Sequence, residues 1–288
     1  MKPLCIAVIC NDGYQEYIPF YIYYILTAYP EYEIFVYIDG DIKPEIEQSL
    51  SLIKNMGIFK IKSLSYKYNK NNDQALKSIR WILHDEEFNN YENIYIGDID
   101  MFIVKESPSL YDSHLKHCEE INLPYSNIIR ENTEKMTGLH FMKTQEYFPK
   151  ALPIIEKYKN LIAQDNFNMH NENLLYNILK ESIGLPLIRG NFNTHHGIHM
   201  RVFTRRRDLQ TERNDTNYPF KWLFEKHYNG FYKATVTGIP SQIYEIVKNI
   251  KYSNEHKVKY NSAGMNIKNQ LENVMTLCTE LRKENNDQ

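Results

Sequence analysis

Three runs of strand length, each followed by a helical pattern, constrain this chain more than any other feature. Residues 4–10 are apolar throughout and end on the turn sequence Asn11-Asp12-Gly13. Residues 14–28 then read as a helix with Pro19 in its first turns. The second run, 33–39, closes on Asp39-Gly40, and residues 44–55 are its helix, with Gly57 as a stop. The third run is 58–64. Asp73 caps the next helix, which reaches about Glu87 with Ala75, Leu76, Ile79, Ile82 and Leu83 on one face. The first two runs, without polar alternation, suit parallel strands buried on both faces. The expected fold is α/β, an open sheet with helices on both faces.

The fourth strand carries the chemistry. Residues 93–96 and 101–104 are largely apolar, and Gly97-Asp98-Ile99-Asp100 joins them. Side chains two apart in extended backbone leave on the same side, so Asp98 and Asp100 stand together. Two carboxylates that close repel each other. Folding gains nothing from the pair, whereas a hard cation such as Mn2+ or Mg2+ needs oxygen ligands of this kind. The plain alternative is two turn aspartates between strands. Ligands of open α/β sheets bind beyond the carboxyl ends of the strands. Asn11, Asp12, Asp39, Asp98 and Asp100 all fall at such ends.

Downstream the pattern loosens. A short helix is expected at 109–120, a strand at 137–142 with Gly138 near its start, and a helix from Thr144. Another helix is expected at 171–181, with Leu174, Leu175, Ile178 and Leu179 inward. The stretch 190–202 holds His195-His196-Gly197-Ile198-His199, and Arg205-Arg206-Arg207 follows. Near the end, Ile267, Leu271, Val274, Cys278 and Leu281 form a short a/d seam. That helix either packs on its own domain or makes a homodimer contact.

Composition removes some classes. With 34 basic and 36 acidic side chains the net charge is −2, so no electrostatic argument for nucleic acid exists. Cys5, Cys10, Cys118 and Cys278 form no CxxC pair or zinc spacing, which suits a reducing cytoplasm. The start, Met1-Lys2-Pro3-Leu4, does not read as a signal peptide, and the most apolar window, 18–29, is too short to cross a bilayer.

With these residues in view, the chain resembles the GT-A glycosyltransferases. Ile96-Gly97-Asp98-Ile99-Asp100 looks like that family's DxD motif, in place after three strand–helix units. Asn11-Asp12-Gly13-Tyr14 looks like its base-binding edge, and Arg80 resembles an arginine many members use near the nucleotide. The later order of Gly138, Asn171-Glu172 and His196-Gly197 is closest to the family-8-like group. That pattern continues into a Lys-Pro-Trp, where this chain has Ile198-His199-Met200-Arg201.

The resemblance implies a GT-A type open mixed sheet. Residues 1–105 would be a Rossmann-like nucleotide-binding half, 106–240 an acceptor-side half and 241–288 a C-terminal helical segment. It implies a hexosyltransferase using Mn2+ (or Mg2+) to move a sugar from a nucleotide-sugar donor, UDP-sugar foremost, to an acceptor hydroxyl. A carbohydrate or glycolipid acceptor, bacterial surface polysaccharide synthesis and a cytoplasmic place peripheral to the inner membrane go with it. Retention is slightly favoured over inversion. By the same resemblance Asp100 would bind metal and diphosphate, and Asp98 the ribose and metal. Asn11, Asp12, Tyr14, Asp39 and Arg80 would lie against the nucleotide.

The remaining site residues are read with alternatives open. One of His195, His196 and His199 is a candidate third metal ligand, His196 first and His195 next; a core or loop histidine is the alternative. Glu172 is either an acceptor-activating base or a favourable charge at a helix start, and with Asn171 it could instead steady the acceptor or the sugar cation. His140, near Gly138, is a candidate acceptor contact. Arg80 either binds nucleotide or snorkels from an amphipathic helix. Arg201, Arg205, Arg206 and Arg207 suit a diphosphate, an anionic acceptor or anionic lipid. A sugar-phosphate nucleotidyltransferase needs a basic, glycine-rich loop that Cys10-Asn11-Asp12-Gly13-Tyr14 lacks. A non-catalytic carbohydrate-binding protein of the same fold is the other competing reading.

Overall fold

The computed structural model describes residues 1–69, 72–187, 192, 197–200, 231–250 and 267–286. Strands are β1 (Lys2–Asn11), β2 (Glu33–Asp39), β3 (Phe59–Ser63), β4 (Tyr91–Ile96), β5 (Met101–Phe102), β6 (Tyr125–Ser126), β7 (His140–Lys143) and β8 (Ile198–His199). Helices are α1 (Tyr17–Ala28), α2 (Pro44–Ser51), α3 (Asp73–Ser78), α4 (Leu110–Ile121), α5 (Thr144–Ile162), α6 (Asn171–Ser182), α7 (Phe231–Thr237), α8 (Ile239–Val247) and α9 (Ile267–Asn286).

Six strands form the main sheet in the order β3-β2-β1-β4-β7-β6. The first four are parallel, while β7 runs antiparallel to both β4 and β6. The expected α/β sheet is therefore present, in its mixed form. Chain order runs outward from β1 to β3 and then restarts with β4 on the other side of β1. The β1–β4 boundary is thus a topological switch point, where open sheets bind ligands.

The first two strands read from sequence, β1 and β2, are buried on both faces, whereas β3 lies at the sheet edge with Lys60 and Ser63 exposed. Leu4, Ile6, Val8 and Cys10 pack with α1, α2 and α4 in one core, whereas Cys5 and Ala7 join α3, α5 and α6 in the other. Some elements begin where a side chain offers a local partner. The cap of α3 is Asn72, whose side chain accepts the Gln74 and Ala75 N–H groups, and not Asp73 as expected. The helix expected to reach Glu87 stops early, passing through a 3-10 turn at Ile79–Ile82. Leu83 is extended, and Asp85 accepts the Glu87 N–H to start a separate turn.

The C-terminal helices pack on the first core. Leu271, Val274 and Cys278 of α9 are buried with Ile243 and Val247 of α8 in the α1 cluster. The Tyr24 and Thr235 hydroxyls lie 2.7 Å apart, and the Tyr17 hydroxyl donates to Gln270. Three of the five seam positions, Leu271, Val274 and Cys278, are thus filled from within the chain.

Candidate metal centre

The DxD stretch sits on the switch point. The Gly97 N–H donates to the Ala7 carbonyl at 3.2 Å, which keeps the end of β4 beside β1. The Met101 N–H then donates to the Asp98 carbonyl at 3.2 Å, turning the chain into β5. A Cβ at Gly97 would stand 3.2 Å from both the Tyr21 hydroxyl and the Tyr95 ring, so a small residue lets the turn sit on that tyrosine floor.

A second, two-stranded ladder supplies the third group. β5 pairs antiparallel with β8, setting Met101 opposite His199 and Phe102 opposite Ile198. The Met200 N–H extends it by donating to the Asp100 carbonyl at 2.8 Å. Gly197 makes the approach possible, because its φ is +100° and a Cβ there would stand 2.1 Å from the Phe102 carbonyl oxygen. As a result His199 Nε2 lies 3.8 Å from Asp100 Oδ2. One ligand atom each from Asp98, Asp100 and His199 all fall within 4.8 Å of one another.

The electrostatics fit a cation. Burial holds the Asp100 carboxyl above its ordinary range, His199 pulls it down, and the neighbouring Asp98 adds to the rise. A divalent ion would relieve both the burial and the repulsion. Two carboxylates and an imidazole suit Mn2+, with Mg2+ the poorer match for the nitrogen. Asp98 also pairs with Arg80, whose guanidinium lies 4.3 Å from the Trp81 ring centre. The buried Arg80 Nε has no partner among the described residues. A Cβ on Gly138 would meet Arg80 Nη2 and Asp98 Oδ2, both at 3.3 Å, so glycine leaves that face of the pair uncovered.

The other expected nucleotide contacts share this edge. Asn11 and Asp39 are register partners at the ends of β1 and β2. The Asn11 side-chain oxygen accepts the Gly13 N–H at 3.0 Å, and Asp39 accepts the Tyr68 hydroxyl. Asp12 pairs with Lys43 at 2.6 Å and accepts from Gln15 at 3.2 Å. Tyr14 is half-buried, its ring centre 6.1 Å from that of Tyr17.

On the other side, Asn171 and Glu172 open α6 and are both buried. The Glu172 carboxylate is paired with Arg130, and its N–H donates to His170 Nδ1 at 3.3 Å. The Met136 N–H donates to the Glu172 carbonyl at 3.2 Å. Because Met136 precedes Gly138 by two residues, the start of α6 is tethered close to the Arg80–Asp98 pair.

His140 sits in the core. It pairs with Ile96 at the β4–β7 boundary, and its ring turns into the second core. There it lies 5.3 Å from Tyr125, 5.4 Å from Tyr147 and 6.3 Å from Trp81, centre to centre. Burial pushes its pKa down to about 3.

His195 and His196, the first choices for the third ligand, lie outside the described residues, as do Arg201, Arg205, Arg206 and Arg207. Among the described residues, the histidine brought to the aspartates is His199. No local signal in the sequence marks His199, and the β5–β8 pairing is what carries it to Asp100.

No protein-family model matches the chain, and no curated protein matches it in sequence. Solved structures similar to it are GT-A glycosyltransferases. One is the galactosyltransferase LgtC in complex with donor and acceptor sugar analogs, at 14% identity and a TM-score of 0.41 over 63% of this chain and 72% of that one. Another is the glycosyltransferase GlyE of Streptococcus pneumoniae TIGR4, at 12% identity and 0.43 over 63% of this chain and 44% of that one. A third is core-mannan synthase A from Aspergillus fumigatus in its Mn/GDP form, at 7% identity and 0.43 over 64% and 70%. Likeness at this level leaves the functional argument with the site's own geometry.

Proposed function

We propose that this chain is a metal-dependent glycosyltransferase. In this reading it moves a sugar from a nucleotide-sugar donor, UDP-sugar foremost, to a hydroxyl of a carbohydrate or glycolipid acceptor. The observation that carries it is the convergence of Asp98, Asp100 and His199 within 4.8 Å at the ligand edge of the sheet. These three residues would hold Mn2+ (or Mg2+). The ion supplies Lewis-acid neutralisation of the departing nucleoside diphosphate.

The remaining residues divide by position. Asn11, Asp12, Tyr14 and Asp39 line the adjoining strand ends and take the base and ribose. Arg80 holds Asp98 in one rotamer and offers its remaining N–H groups to the donor. Asn171 and Glu172 stand on the acceptor side. The Arg130 guanidinium already engages the Glu172 carboxylate, which suits a steadying role better than proton abstraction and favours the retaining course. Synthesis of a bacterial surface polysaccharide or glycolipid, in the cytoplasm and peripheral to the membrane, is the setting that goes with this reading. None of the helices among the described residues is long and apolar enough to cross a membrane.

A thermal-shift screen of nucleoside diphosphates with Mn2+ and with EDTA tests the reading. One nucleotide should raise Tm only in the presence of metal. No nucleotide binding with Mn2+, measured by calorimetry, overturns it. Metal-independent glycan binding would favour the non-catalytic alternative.

A further inference from the structure

Glu106 reaches from the segment after β5 to the segment that carries His199. Its carboxylate accepts the Gly197 N–H at 2.7 Å. Its own backbone N–H donates to the hydroxyl of Tyr29, a buried residue at the C-terminal end of α1. One residue thereby ties the histidine segment to the first core.

The ladder it secures is short. β5 and β8 are paired over two residues each, and the Met200-to-Asp100 bond extends the ladder on one side only. At the other side stands Gly197, pressed so closely on the Phe102 carbonyl that no other side chain fits. A backbone N–H donated to a carboxylate is a charge-assisted bond, stronger than its neutral counterpart. Groups of this kind, one layer behind the ligands, hold a metal ligand to the narrow tolerance it requires.

We propose that Glu106 is a positioning residue for the metal centre, holding the Gly197 N–H and so fixing the β8 register that presents His199 to Asp98 and Asp100. The role rests on the metal-binding reading above. It depends first on reach and on an acceptor oxygen, which the negative charge strengthens without replacing.

The test is the Mn2+ affinity of the nucleotide-free protein, measured by calorimetry for wild type, Glu106→Gln, Glu106→Asp and Glu106→Ala. Glutamine keeps the reach and the acceptor, so affinity should stay within about threefold of wild type. Aspartate keeps the charge but falls one methylene short, and should weaken binding about tenfold, as should alanine. Hydrogen exchange at Gly197 should speed up in the aspartate and alanine variants alone. The opposite ranking, aspartate tight and glutamine weak, would assign Glu106 a purely electrostatic part and overturn the proposal. So would an alanine variant that binds as wild type does. If wild type binds no Mn2+, the metal reading itself fails, and the role of Glu106 falls with it.

Discussion

His199 Nε2 lies 3.8 Å from Asp100 Oδ2, although the two residues belong to segments with no local relationship in sequence. The β5–β8 ladder makes that contact, and it turns an acidic pair into a three-ligand cluster. If the cluster holds Mn2+, His199→Ala should weaken Mn2+ affinity by about tenfold or more, and Asp100→Ala should abolish both metal binding and sugar transfer. Calorimetry with and without UDP measures both effects. Unchanged affinity in both variants would sink the metal reading.

Arg80 and Asp98 form the second relationship at this edge. Their side chains are mostly covered, at 14% and 29% exposure, so the pair keeps more of its attraction than an exposed one would. Removing either partner leaves the other uncompensated. A double-mutant cycle with Arg80→Ala and Asp98→Asn should give a coupling of about 1–2 kcal/mol in urea unfolding. Additive losses would mean that the pair contributes nothing. Arg80→Lys should not restore full nucleotide affinity, because a lysine ammonium lacks the planar stack on Trp81.

Stability should depend on pH through two buried groups with opposite signs. Burial raises the Glu16 carboxyl from 4.5 to about 7, with Lys43 opposing and Asp12 adding. Its raised folded value means that the stability it contributes is full below about 4.5 and is lost as pH rises through about 7. Glu16→Gln should therefore match wild type near pH 4.5 and exceed it by roughly 3 kcal/mol near pH 8. His140 acts on the acid side. Its depressed value contributes stability above about 6.5 that is lost as pH falls toward about 3. His140→Phe should move the acid-unfolding midpoint to lower pH while leaving turnover near wild type. A collapse of turnover in a folded His140→Phe would restore the acceptor role.

Leu271 tests where the C-terminal helix spends its apolar face. It is buried in the same cluster as α1. Leu271→Ala should cost about 2–4 kcal/mol, and the loss should not depend on protein concentration. Sedimentation of wild type and variant should give one oligomeric state for both. A concentration-dependent Tm, altered by the substitution, would return the seam to a dimer contact.

Much of the fold was legible because it rests on short-range pattern. The alternation within β1 sends Leu4, Ile6 and Val8 to one core and Cys5 and Ala7 to the other. Asp98 and Asp100 were legible as a pair because they stand two apart at a strand end, although the chain turns at Ile99-Asp100 and is not extended there. Other features depended on distant partners. Nothing local separates His199 from His195 and His196, and Glu106 carries no motif at all. The burial of His140 was not legible, because a strand end near a glycine looks open until β4, α5 and the Tyr125 ring close over it.

The amino-acid order by itself determined a layered sheet whose strand ends carry Asn11, Asp39, Asp98 and Asp100. Periodicity and turn chemistry act over a few residues, and they suffice for that. Only the tertiary structure decided what joins those groups: His199 through a two-residue ladder, Arg80 across from Asp98, and Glu106 behind Gly197. Those choices depend on which distant backbones approach closely enough to pair. Gly197 permits one such approach because it has no side chain to stand in the way.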